Sequence, residues 1–149
     1  MFKRSFFALL ALATFTVNGQ TLQSPEQFFG YPLGTYFSRH HQVVDYFEQL
    51  EKNASSSIKV EKYGQTNEHR DLIVAYISSE ENLKNIDEIR KQHSDLSANE
   101  KVAIVWLSYN VHGNESAGTE AAMQTAYELI SEKQDWLKNT LVIDRKSVV

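Results

Sequence analysis

Cysteine is absent from this 149-residue chain. The absence removes thiol nucleophiles, iron–sulfur clusters, cysteine-type zinc sites, lipoprotein anchors and disulfides in one step. An exported chain of this kind must be held by its apolar core or by a bound metal, with a modest margin at this size. Excess positive charge is also lacking: 15 Lys and Arg against 19 Asp and Glu leave a formal net charge of -4 and a pI near 5.7. No basic surface is dense enough to follow a phosphate backbone, so nucleic acid is not an expected partner. Long apolar runs are missing too, for none reaches the roughly 20 residues of a bilayer-spanning helix. The nearest, Phe6 to Val17 in "MFKRSFFALLALATFTVNGQ", follows Lys3 and Arg4 and leads to Val17 and Gly19 at the small-residue positions before Gln20. That is the pattern of a secretory signal peptide, here residues 1–19. The mature protein is expected to be secreted or periplasmic, with no membrane attachment after cleavage.

What is present, 42% hydrophobic and 23% charged residues, is the composition of one soluble globular domain. Both prolines and two of the six glycines fall in "SPEQFFGYPLGTYF", so residues 20–37 read as an irregular arm laid over a surface. From Ser38, a possible cap, Val43, Val44, Phe47 and Leu50 recur at helical spacing. "SIKVEKYG" alternates apolar and charged positions, "DLIVAYIS" is apolar on both faces, and "GQTNEHR" between them suits a hairpin. "ENLKNIDEIRKQHSDL" then sets Leu83, Ile86, Ile89, His93 and Leu96 on one helical stripe. "KVAIVWLSY" reads as another strand apolar on both faces, an alanine-rich helix follows, and "NTLVI" begins a last strand. The order αββαβαβ, with strands buried on both sides, predicts an α/β fold with a mixed, mainly parallel sheet and helices on both faces. Trp106 is most simply placed in the core and Trp136 near a helix end. His40 and His41 read as surface residues whose side chains diverge by about 100° on a helix, His93 as half-buried packing, and His69 has no assigned role.

In such a sheet, ligands bind beyond the carboxyl ends of the strands, and "NVHGNESAGT" lies there. Gly113 and Gly118 have the glycine spacing of a phosphate loop, but Thr119 and Glu120 stand where that motif needs Lys and Ser or Thr, and a carboxylate repels phosphate. A serine nucleophile elbow needs its serine two residues after the first glycine, whereas Ser116 is three after Gly113 and is better explained as a helix cap. A third reading pairs His112 with Glu115. A neutral imidazole and a carboxylate are ligands that zinc accepts, a catalytic site uses three such ligands and an open position, and Gly113 lets the backbone turn tightly between the two. An H-x-x-E pair on an exposed turn is equally met as two solvated side chains, and spacing does not decide between the two.

"NVHGNES", between a buried strand and an alanine-rich helix, resembles the H-x-x-E turn of the zinc carboxypeptidase family, the carboxypeptidase A-like metallopeptidases. "PEQFFGYPLGTYFSRHHQVVDYFEQL", "YGQTNEHRDL" and "SSEENLKNIDEIR" are similar to the corresponding half of exported bacterial members, so the likeness covers nearly all of Ser24 to Ile143, with Tyr109 to Met123 its most specific piece. The resemblance implies that His112 and Glu115 are zinc ligands and that residues 38–143 are the amino-terminal part of a catalytic domain, an incomplete carboxypeptidase-like fold. It implies peptide or protein C-termini as substrates, a zinc-bound water attacking a polarised carbonyl, a glutamate base, and an arginine gripping the terminal carboxylate. The family's third ligand, a histidine, lies far downstream of the H-x-x-E turn, as do its base and arginines, and none has a matching position here. The printed chain is therefore expected to bind zinc weakly and to be inactive. The alternative is a non-catalytic binding or scaffold domain on the same sheet.

After Ile143 the strand pattern breaks into "DRKSVV", and an abrupt strand end leaves sheet edges unpaired. The codons GAT CGG AAG AGC GTC GTG, a common sequencing-adapter string that runs next into a stop, encode the same six residues. Residues 144–149 are thus expected to be an artefactual tail on a gene that continues.

Overall fold

The computed structural model describes residues 21–95, 102–109, 112 and 116–146. The expected signal peptide, and Leu96 of the helical stripe, lie outside them. Among the described residues no helix is long and apolar enough to cross a membrane.

The arm is more ordered than its prolines suggested. Pro25–Phe29 forms a short helix, α1. Proline is at home in the first helical turn, where its missing N–H has no intrahelical partner. Ser24 closes a capping box with Gln27: the Gln27 N–H donates to Ser24 Oγ at 3.3 Å and the Ser24 N–H to Gln27 Oε1 at 2.9 Å. Gly30, at φ 75°, ends the helix in the left-handed conformation that glycine takes without penalty. The Tyr46 hydroxyl donates to the Gln23 carbonyl at 3.0 Å and ties the arm to the next helix.

That helix, α2, spans His40–Asn53 and buries Val43, Tyr46, Phe47 and Leu50. Ser38 is not its cap. Arg39 occupies the cap position, with its N–H donated to Gln42 Oε1 at 2.8 Å, and Ser38 is engaged elsewhere. His40 is half-buried, against the surface placement expected for it. Burial pushes its imidazole below the ordinary value of 6.5, Arg70 and His41 act in the same direction, and Asp71 opposes them. The unfolded chain therefore takes up this proton first as pH falls, so stability rises with pH through the window below about 6.5 and is lost on descending through it. His40→Gln is expected to flatten that slope between about pH 7 and 5, read from Tm. Equal slopes for the two proteins would refute it.

The strands are β1 (Ile58–Gln65), β2 (Asp71–Ile77), β3 (Ala103–Tyr109) and β4 (Thr140–Lys146), in the spatial order β1-β2-β4-β3. The β1–β2 hairpin forms as expected, with Thr66 Oγ1 accepting the Glu68 and Arg70 N–H groups in its loop. The sheet is mixed, but its pairings are not mainly parallel: β1–β2 and β2–β4 are antiparallel and β3–β4 alone is parallel. Because β4 inserts between β2 and β3, the one strand of opposite sense, β2, contributes to two of the three ladders. β4 also runs past Ile143. Asp144 and Arg145 pair with Ala75 and Val74 of β2 and with Leu107 and Ser108 of β3, and Asp144 is buried. The break expected after Ile143 does not occur.

Helices cover both faces. Facing α2 and α5 (Ser116–Ser131) are Ile58, Val60, Ile73, Ala75, Ile77, Leu107 and Val142, which pack with Phe47, Leu50, Met123, Ala126 and Ile130 into the core. On the opposite face the single helix expected from Leu83 to Leu96 is two, α3 (Glu80–Lys84) and α4 (Ile86–Ser94), separated at Asn85. At the break the Asn85 side-chain amide donates to the Glu81 carbonyl at 2.9 Å and the Asn85 N–H to the Asn82 carbonyl at 3.0 Å, while the Asn82 side-chain amide reaches Ser78 Oγ and the carbonyls of Leu137 and Lys138 at 3.0–3.1 Å. Beneath these helices lies a groove of about 800 Å³ floored by Val74, Tyr76, Ile104, Trp106, Leu141 and Ile143. Trp106 is 58% exposed and not in the core, because β3 is the last strand in the spatial order and pairs on one side among the described residues. Trp136, in α6 (Gln134–Leu137), stands at a helix end under the Lys133 ammonium, as placed by its sequence.

Candidate metal centre

The H-x-x-E turn joins the carboxyl end of β3 to the start of α5. β3 ends at Tyr109, His112 follows as an exposed bend, and α5 opens at Ser116. The helix start is anchored from both sides. Thr119, Ala122 and Met123 bury its inner face, and the Tyr109 hydroxyl donates to Thr125 Oγ1 at 3.4 Å, joining the strand's end to the helix that leaves the turn. β4 runs parallel to β3, with Tyr109 opposite Lys146, so both strands open their carboxyl ends towards the same rim. His112 thus stands where a sheet of this kind presents ligands.

Glu115 and Gly113 lie outside the described residues, so the structure places one of the two expected metal ligands. Ser116 is the first residue of α5. Among the described residues no group of three or more His, Cys, Asp or Glu side chains converges as a metal cage. The donors fit zinc in kind, the exposed imidazole of His112 with a carboxylate three positions on in sequence, but not in number. His40 and His41 begin α2, His69 sits in the β1–β2 loop with φ 61°, and His93, half-buried as expected, holds the Val102 carbonyl through Nε2 at 2.7 Å.

One residue beside the turn escaped the sequence reading. Glu120, in the second turn of α5, accepts the Gly34 N–H on Oε2 at 2.6 Å and the Ser38 hydroxyl on Oε1 at 3.3 Å. In sequence it counted only as a charge hostile to phosphate. Its partners lie 86 and 82 positions away, and no periodicity signals a link of that range.

A model of the zinc carboxypeptidase family matches residues 43–144, more than half of the chain and inclusive of the turn. Among solved structures the chain is similar to carboxypeptidase A from Helicoverpa armigera, at 16% identity and a TM-score of 0.56, over 81% of this chain and 29% of that one. The chain thus spans less than a third of that structure, and at this identity the likeness is one of fold. A comparison with curated proteins found no match. The fold and the family agree with what the residues around His112 suggested: this chain belongs to the zinc carboxypeptidase family.

Proposed function

We propose that the chain is the amino-terminal, zinc-turn-bearing part of an exported metallocarboxypeptidase that removes residues from the C-termini of peptides or proteins. The observation that carries this reading is the position of His112: exposed, just beyond the carboxyl end of β3, with α5 opening four positions on, and inside the family match. His112 and Glu115 would hold the metal. When bound, zinc polarises the scissile carbonyl and lowers the pKa of its water. The chain's own contribution is to hold the imidazole steady at the rim: β3 is locked into the sheet by β4 on one side, and α5 is pinned by its buried inner face.

Two features support a parent longer than the printed chain. The likeness to carboxypeptidase A extends over 29% of that structure. On β3, Val105 and Trp106 remain exposed at 39% and 58% although the strand's sequence is apolar on both faces. Genomic sequence that continues in frame beyond Ile143 would support this; the same six codons and stop in the genome would refute it.

Two protein ligands leave zinc under-coordinated for catalysis, since such sites use three. The purified chain is therefore expected to bind zinc weakly and to release no C-terminal residue from a peptide, measured by chelator-competition titration and by amino-acid release. Turnover by this chain would overturn the partial-site reading. Failure to bind zinc at all would leave the non-catalytic scaffold.

A further inference from the structure

Glu120 is four residues beyond Ser116, about 6 Å along the helix axis from where the H-x-x-E turn ends. Its two carboxylate oxygens are committed to two points of the arm, the Gly34 N–H and the Ser38 hydroxyl. Such charge-assisted bonds are roughly twice as strong as neutral ones. The loop they grip is already shaped to receive them. Gly34 sits at φ 83°, a left-handed conformation costly to other residues, and the Thr35 N–H donates to the Pro32 carbonyl at 3.2 Å. Tyr31 meets Tyr36 edge-on at 5.1 Å and stacks on Phe29 at 5.6 Å. A stiffened loop is thereby fastened to the opening turns of the helix that leaves the metal turn.

We propose that Glu120 is a positioning residue that couples the amino-terminal arm to the zinc turn: by tying Gly34 and Ser38 to α5, it holds the start of the helix that follows the turn in sequence. This rests on the reading of His112 and Glu115 as zinc ligands. Coupling between two sites is reciprocal. Whatever factor the clamp adds to zinc affinity, zinc returns as protection of the arm.

The test uses the full chain, zinc alone as the probe, and the variants Glu120→Ala, Ser38→Ala and His112→Ala. Amide hydrogen exchange at Gly34 reads the clamp, and chelator competition reads zinc. Without metal, Glu120→Ala is expected to speed Gly34 exchange about tenfold, a loss of the order expected for one charged hydrogen bond. Saturating zinc is expected to slow Gly34 exchange in the unaltered chain but not in Glu120→Ala. Zinc affinity is expected to fall roughly fivefold in Glu120→Ala, within the range typical of coupled sites. Ser38→Ala, which changes no charge, should move both readouts in the same direction by less. The affinity loss should persist at about 1 M salt, where the screening length is roughly 3 Å, since a purely electrostatic effect of a nearby carboxylate would fade there. Affinity that depends on His112 but not on Glu120, with Gly34 exchange indifferent to zinc, overturns the coupling alone. Affinity indifferent to His112 overturns the metal reading and the coupling with it.

Discussion

His112→Ala is expected to lower the zinc affinity of the chain by more than about 100-fold, because losing even an outer-shell partner of a metal ligand costs roughly 10–100-fold. The imidazole is one of only two side chains proposed for the metal, so its loss removes half of the protein donors. The contrast that makes the result specific is His41→Ala or His69→Ala. His41 is exposed at the start of α2 and His69 lies in the β1–β2 loop, and neither change should alter the affinity. The measurement is zinc competition against a chelator of known affinity, at a pH where imidazole is neutral, because a protonated histidine cannot ligate. If all three variants bind zinc as the unaltered chain does, the metal is held somewhere other than the turn.

Phe47→Ala is expected to cost about 3–5 kcal/mol of folding stability. Phe47 lies on the inner face of α2 with no exposed surface, beside Tyr46 at 6.3 Å between ring centroids and within the cluster that joins α2, β1, β2 and α5. Truncation leaves a ring-sized void at the junction of helices and sheet, where rigid neighbours collapse poorly. Domains are stable by only about 5–15 kcal/mol, so the loss takes a large share of the total. Urea unfolding followed by circular dichroism would show it as a strongly lowered midpoint. A midpoint within a few tenths of a molar of the original would mean that this cluster is not the core that holds α2 on the sheet.

Much of the architecture was readable residue by residue where the governing forces are local. The β1–β2 hairpin follows from two apolar runs flanking a polar loop, and the buried face of α2 from the spacing of Val43, Phe47 and Leu50. The start of α5 at Ser116, and with it the place of His112 beyond the carboxyl end of β3, was legible for the same reason: strand, turn and helix are contiguous. Departures arise where distant segments decide. The helix stops after Lys84, where the Asn85 side chain takes the Glu81 carbonyl and the Asn82 side chain is held by carbonyls 55 and 56 positions away, and a helical stripe says nothing about such partners. Ser38 is an adequate cap by type, yet its hydroxyl is taken by Glu120. Trp106 has the neighbours of a core residue in sequence and an exposed place in space, because its burial depends on what lies beside β3.

By itself, the sequence determined the four strands, the helices α2 and α5, the apolar face of α2, and which turn carries an imidazole and a carboxylate three positions apart. Those properties depend on backbone periodicity and side-chain chemistry within a few residues. Only the tertiary structure decided that β4 inserts between β2 and β3, that β3 is therefore last in the strand order among the described residues, and that the arm is held to α5 by one carboxylate. These are pairings of residues far apart along the chain, whose closure costs entropy that only the assembled core repays.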